Sequence, residues 1–498
     1  MSSPVLLGVE DLSIHSITQR LLRKVSFALH AGEALTLLGE SGAGKSLLAQ
    51  AIMGNLPGTL RCSGTVVLDG ATSWAEAART RRPHWGRTLA LVPQEPGQAL
   101  DPLMPIVPQL AEVHALLRGA KPAAAARAAL LGLDAVGLSS AAQQYAWQVS
   151  GGMAQRAVVT IALAAGARIV LADEPTKGLD AFWRDRMIEQ LRAVQLAGGC
   201  VLTISHDLRV ARALGGQLMV MREGEAVEQG AAGEVLARPQ HDFTRRLIAA
   251  DPAHWPRRTA PAVGGEVLRA RGLAKRFGKR VLFEGIDVEL HRGERLVVQG
   301  PSGTGKSTLG NVLLGLMPHD AGSIRRASDL TPHALQKLYQ DPVASFAPRV
   351  TLERLLRDVA RRHACDWCTV QQHLARLRVP EQLLARTPAE VSGGELQRIA
   401  LARVLAVQPA LLFADEPTSR LDLISQQETL AALLEAAEAT HSALVLVTHD
   451  NDIAAALATR VLQFTEDKLQ LPEGRQRRAV PDDPAASRLP IRASNGWR

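Results

Sequence analysis

Twice in this chain an apolar run ends in Asp-Glu-Pro, at Asp173-Glu174-Pro175 and Asp415-Glu416-Pro417, and twice a later apolar run ends in His-Asp, at His206-Asp207 and His449-Asp450. Adjacent carboxylates at the end of an extended segment suit two tasks. The first can bind a divalent cation, directly or through water, and the second can polarise a water for in-line attack, with an imidazole at hand for a phosphoryl contact. That chemistry needs an anion held alongside, and two Gly-rich runs provide for one: Gly39 to Ser46 (GESGAGKS) and Gly300 to Thr308 (GPSGTGKST). Gly39, Gly42 and Gly44, and likewise Gly300, Gly303 and Gly305, let the backbone approach a phosphate chain without a Cβ in the way. Lys45 and Lys306 supply a point charge, Ser46 and Ser307 a hydroxyl for Mg²⁺, and Thr308 opens the following helix. Strand-end acids also cap helices, and single histidines are often structural. Those readings leave the upstream phosphate loops unexplained.

The elements that would position these groups occur in the same order in both copies. Apolar extended segments precede the loops (Ala34 to Leu38; Arg295 to Gln299) and helical runs follow them (Leu47 to Met53; Thr308 to Leu316), the context a phosphate loop requires. Next come a glutamine after a short strand (Gln94; Gln340) and a Ser-Gly-Gly run (Ser150, Gly151, Gly152; Ser392, Gly393, Gly394). Glu174 and Glu416 are 242 apart and His206 and His449 are 243 apart, so the core repeats almost rigidly. The copies differ upstream: 49 residues separate Lys45 from Gln94 and 34 separate Lys306 from Gln340, a difference expected in peripheral strands and turns. Gln109 to Leu138, with Leu110, Val113, Leu116 and Leu117 at helical spacing, predicts an inserted helical subdomain.

Ser-Gly-Gly at a helix start offers a hydroxyl, open N–H groups and the positive end of a dipole, a second anion site. Neither copy has an obvious anion of its own, which suggests that each half lids the other half's nucleotide. Phe277 stands where an aromatic ring could stack on adenine, although a strand core position explains it equally well. In the first half only His15 is similarly placed.

At 498 residues, 46% hydrophobic and 21% charged, the chain is long enough for at least two globular domains. No run of eighteen apolar residues occurs; Ala157 to Ala172 is broken by Thr160 and Arg168 and reads as a buried helix leading into a buried strand. Met1-Ser2-Ser3-Pro4 lacks the basic and apolar regions of a signal peptide, so the cytosol is expected. Four cysteines give no disulfide framework, and Cys365 and Cys368 lack a second pair to complete a metal site. A net charge of +8 spread over this length is weak evidence for an acidic partner. The expected boundaries are a first domain at 1–250, a linker at 251–265, a second domain at 266–471 and a flexible basic, Pro-containing tail at 472–498.

The ordered set of phosphate loop, glutamine, Ser-Gly-Gly, Asp-Glu and His resembles the ATP-binding cassette (ABC) ATPases, twice over. The resemblance implies an α/β fold of two tandem P-loop NTPase domains, each with a parallel-sheet core, peripheral antiparallel strands and a helical subdomain. It implies ATP and Mg²⁺, with Ser46, Gln94 and Asp173, and Ser307, Gln340 and Asp415, on the metal side. It also implies catalytic roles for Glu174, His206, Glu416 and His449, and a head-to-tail arrangement in which Lys45 faces Ser392, Gly393 and Gly394 while Lys306 faces Ser150, Gly151 and Gly152. The segments after the glutamines, Gln94 to Pro102 and Gln340 to Pro348, and the stretch His241 to Leu247, are similar to ATPases of oligopeptide, dipeptide and nickel importers. Two membrane permeases and a substrate-binding protein would then be the partners, with the chain peripheral on the cytoplasmic face of the membrane and peptides, nickel or metal chelates as cargo. Met153 and Glu395 stand where the broader family has Gln, and Thr176 to Asp180 departs from the usual small residues before Leu-Asp. The competing reading is a soluble twin-cassette ATPase acting on ribosomes or nucleic acid. Against it, the interdomain segment is short and there is no aromatic-basic interleaving.

Overall fold

The computed structural model describes residues 4–464, except 279, 302, 332 and 420, together with 469–470; the expected tail at 472–498 lies outside the described residues. The first half contains β1 (Val5–His15), β2 (Arg20–His30), β3 (Ala34–Gly39), β4 (Arg61–Leu68), β5 (Ala71–Trp74), β6 (Leu89–Val92), β7 (Ile169–Asp173), β8 (Cys200–Ile204), β9 (Gln217–Arg222) and β10 (Glu225–Ala231). The second contains β11 (Glu266–Phe277), β12 (Arg280–His291), β13 (Arg295–Gln299), β14 (Ala321–Arg326), β15 (Leu335–Leu338), β16 (Leu411–Asp415), β17 (Ala443–Val447), β18 (Arg460–Phe464) and β19 (Leu469–Gln470).

Each half builds one mainly parallel sheet, ordered β10-β9-β3-β8-β7-β6 and β15-β16-β17-β13-β18-β19, and one antiparallel sheet, β2-β1-β4-β5 and β12-β11-β14. Strands β3, β7 and β8 are buried along their whole length, as expected when both faces of a parallel sheet are covered. Alternate residues of β7 serve different layers. Ile169 and Leu171 pack with Leu48 and Ile52 of the helix after the phosphate loop, whereas Val170 and Ala172 pack with Leu191 and Val210 on the other face. The length difference between the halves lies in β5 and the short 3₁₀ segment Ala78–His84, which the second half lacks among its described residues. Arg81 in that segment is buried and donates to the carbonyls of Ala51, Trp74 and Ala75.

The helical subdomain of the first half holds helices Ile106–Arg118 and Pro122–Ala135. Ile106, Leu110, Ala129 and Leu133 form its core with Val158. Leu116, one of the residues at helical spacing noted above, is exposed. The 251–265 segment runs against the second half. Trp255 packs on that half's core, the Arg258 N–H donates to the Ala456 carbonyl at 2.8 Å, and Arg295 donates to the Thr259 carbonyl at 2.6 Å.

The halves meet through mixed contacts. Leu423 of the second half joins a first-half cluster that includes Leu38, Leu208 and Phe243, and Arg209 donates to Asp450 at 2.9 Å. Cys365 and Cys368 are free thiols beside the start of helix Trp367–Arg376, and no metal-ligand cluster is found among the described residues. No described helix is long and apolar enough to cross a membrane.

Candidate active site

In the first half, β3 delivers the chain into the phosphate loop at Gly39, where φ is +148° and a Cβ would stand 2.1 Å from the Met221 carbonyl oxygen. Only glycine fits. Lys45 opens helix Lys45–Met53, and its ammonium donates to the carbonyls of Gly39 and Glu40, both at 2.8 Å. Burial lowers the Lys45 pKa against the pull of Glu174 and Asp422. At the end of β7, burial pushes the Asp173 carboxyl up to about 6, opposed by a hydrogen bond from Ser46, and Asp173 Oδ1 is buried without a partner. A hydroxyl and a carboxylate with one oxygen unengaged form a hard-oxygen pair that suits Mg²⁺. Glu174 then turns the chain with φ +51°, unusual for a residue with a side chain. Its N–H donates to the Ile204 carbonyl at 2.9 Å, and its carboxylate lies 2.7 Å from His206 Nδ1. Burial alone would raise the Glu174 pKa, but the imidazole holds it below the usual range. Burial alone would lower that of His206, and the carboxylate lifts it instead.

The second half repeats this frame with different occupants. Lys306 donates to the carbonyls of Gly300 at 2.8 Å and Pro301 at 2.7 Å. Glu416 has φ +44°. Its two carboxylate oxygens are engaged by Gln340 Nε2 at 2.8 Å and His449 Nε2 at 2.5 Å. Asp415 accepts a hydrogen bond from Ser307 at 2.9 Å, and its other oxygen is 3.0 Å from the Lys337 ammonium. Lys337 escaped the sequence reading. The signal was a lone lysine in the short strand β15, one residue from its end.

The expected pairing of the Lys306 loop with the first half's Ser-Gly-Gly turn is present. Ser150, Gly151 and Gly152 share one cleft of about 670 Å³ with Lys306, Ser307 and Thr308. Gln340, Glu416 and His449 border it, as does Gln94, which was expected beside Lys45. Phe277, at the end of β11, lines the same cleft and is 51% exposed, so it is no core residue. His15, its first-half counterpart at the end of β1, is exposed as well.

Around Lys45 the second half arrives as Asp422, whose Oδ2 accepts the Ser41 N–H at 3.2 Å. The relation is reciprocal, because Lys306 feels Asp180 as Lys45 feels Asp422. Both aspartates cap the helix that follows the Asp-Glu strand. The two Ser-Gly-Gly turns differ in their own wiring. Among the described residues Ser150 accepts only the Met153 N–H, at 3.3 Å, whereas Ser392 and Glu395 form a reciprocal capping box, with Ser392 Oγ also donating to Glu395 at 2.7 Å.

Comparison with known proteins agrees with this geometry. The family model described as ABC transporter matches residues 22–177 and 283–419. The chain is 34% identical to the uncharacterized ABC transporter ATP-binding protein YejF of Escherichia coli K12, covering 92% of this chain and 93% of the relative. It is 32% identical to the peptidoglycan transport ATP-binding protein YejF of Agrobacterium fabrum, over 93% and 92%, and 32% identical to the glutathione import ATP-binding protein GsiA of E. coli K12, over 96% and 87%. Among solved structures, an RNase-L inhibitor aligns with TM-score 0.65 at 21% identity over 91% of this chain and 87% of its own, a likeness of fold. Two phosphate loops, two Asp-Glu strand ends and two family matches in one polypeptide make this chain a member of the ABC transporter family, an ATPase that works on ATP with Mg²⁺.

Proposed function

We propose that this chain is the energising subunit of an importer for peptides or peptide-like compounds, with two composite ATP sites at the junction of its halves. The observation that carries the reading is the single cleft holding Ser150 to Gly152 of one half and Lys306 and Ser307 of the other. A triphosphate there would be gripped from both sides, so binding would draw the halves together and hydrolysis would release them. The second site would place Ser392 to Gly394 over Lys45 in the same manner. The Ser41 to Asp422 hydrogen bond ties the first phosphate loop to the second half, at the helix that follows β16.

Within each site the geometry supports a role for each residue. Lys45 and Lys306 each bridge two carbonyls of their own loop and can exchange these for β- and γ-phosphate oxygens. Ser46 with Asp173, and Ser307 with Asp415, would hold Mg²⁺, with Gln94 and Gln340 beside them; the ion would neutralise charge on the phosphates. Glu174 and Glu416 are aimed by their left-handed backbone and by His206 and His449, placing a carboxylate to accept a proton from the attacking water. Phe277 offers a flat, exposed face to the base.

The division into 1–250, 251–265 and 266–471 goes with this reading. The helical subdomains would pass closure to two permeases, a binding protein would deliver cargo, and the chain would sit on the cytoplasmic face of the membrane. The relatives named for peptidoglycan transport and glutathione import support peptide-like cargo. They lend no support to nickel or metal chelates. Membrane extraction and affinity purification of the tagged chain tests the proposal. It predicts recovery with two permeases, and uptake of peptides rather than metals that is lost on deletion. Salt-sensitive recovery with ribosomes or nucleic acid would overturn it.

A further inference from the structure

The strongest unexplained feature is a charged side chain buried against Asp415, behind the second nucleotide site. Lys337 is 9% exposed, and its ammonium is held by Asp415 at 3.0 Å and Asn311 Oδ1 at 2.9 Å. The rings of Tyr339 and Phe413 lie 5.1 and 5.7 Å from it. The surroundings are fitted to this cation. Phe413 occupies space that a side chain at position 310 would need, since a Cβ on Gly310 would fall 2.2 Å from the ring. The first half has none of this. Lys337 pairs with Phe413 across β15 and β16 as Leu91 pairs with Leu171 across β6 and β7, and Ala49, Gln50 and Leu91 stand where the second half has Gly310, Asn311 and Lys337.

We infer that Lys337 is a resident counter-cation for Asp415, so that the Lys306 site takes nucleotide with weaker dependence on Mg²⁺ than the Lys45 site. A fixed ammonium on the carboxylate does two things. It competes with the metal for Asp415, lowering Mg²⁺ affinity there, and it offsets the carboxylate charge that would repel a metal-free triphosphate. Among the described residues no ammonium lies within ion-pair distance of Asp173, where Lys45 and Lys177 act only at longer range, and one buried oxygen stays free, so the first site depends more on the ion to reconcile carboxylate with phosphate. Lys337 thus acts through Asp415, as a positioning and charge-setting residue.

The inference rests on the nucleotide-site reading above, and its test separates the two. Binding of a fluorescent trinitrophenyl-ATP is titrated in EDTA and in Mg²⁺, using Lys45→Ala to isolate the second site and Lys306→Ala to isolate the first. The expected ratio of the two dissociation constants is at least about tenfold smaller at the second site. Lys337→Met should raise that ratio to the first-site value, Lys337→Arg should keep it low, and Leu91→Lys should lower the ratio at the first site. Equal ratios at the two sites, unmoved by Lys337→Met, would overturn the inference while leaving the sites themselves intact. Should Lys337→Met not fold, Leu91→Lys decides: an unchanged first-site ratio counts against the inference. Absence of binding in both isolated forms would instead defeat the nucleotide-site reading.

Discussion

The two nucleotide sites carry the same motif residues, yet their carboxylates are in different company. Asp173 is buried with one oxygen unpartnered and a raised pKa, whereas Asp415 is tied to Ser307 and Lys337. Glu174 is held by His206, and Glu416 sits between Gln340 and His449. Of the two serine turns, that at Ser392 is locked in a capping box, while that at Ser150 is loosely wired. Motifs therefore fix what a site can do. The residues packed behind them fix how readily it does so, and here those residues are not duplicated.

The most severe way to probe the comparison is to remove both carboxylates proposed as bases. Glu174→Gln with Glu416→Gln should cut steady-state ATP hydrolysis by about 10²-fold or more, and each single change should lower it measurably. A single variant that keeps wild-type turnover would show its site to be idle. Next in size is the base-stacking difference: Phe277→Ala should weaken nucleotide binding at the Lys306 site by up to about tenfold, while His15→Ala should change the Lys45 site by less than about twofold. Isothermal titration on the site-isolated forms reads both.

A smaller effect is expected at the junction. Asp422 caps its own helix and accepts the Ser41 N–H, so Asp422→Ala should cost about 1 kcal/mol and lower the thermal midpoint by a few degrees. The smallest prediction concerns pH. His206 has a raised folded pKa, so its contribution is complete below the free imidazole value and fades as pH rises through the folded value. Glu174 has a lowered one, so its contribution is present above the free carboxyl value and fades as pH falls through the folded value. The pair is therefore charged in the acidic window between them. The melting deficit of His206→Gln should be greatest near pH 5 to 6 and should shrink toward pH 9, as measured by scanning fluorimetry of the nucleotide-free chain.

Much of this was legible in the residues because phosphate loops, strand-end acids and helix starts are set by backbone requirements a few residues long. Gly39 and Gly300 announce themselves, since no other residue fits against the β9 or β18 backbone. What escaped depends on neighbours distant in sequence. The left-handed turn at Glu174 and Glu416 reflects hydrogen bonds to the next strand over. Arg81, an arginine among others between β5 and β6, proves to be a buried strut. The 251–265 segment looks like free linker because prolines recur among small and basic residues, yet Trp255 and Arg258 anchor it on the second half. Lys337 was passed over because a strand of four residues shows no periodicity that exposes an inward-facing charge.

The central claim is that the Lys306 site is completed by the serine turn of the other half. Gly151 and Gly393 both face open space, with nothing within 4 Å of an added Cβ, so either position has room for a side chain, and aspartate there sets a negative charge against a bound anion. In a chain whose first site is disabled by Lys45→Ala, residual ATP hydrolysis is the measurement. The account predicts that Gly151→Asp abolishes it and Gly393→Asp spares it; loss with Gly393→Asp and survival with Gly151→Asp would contradict the account.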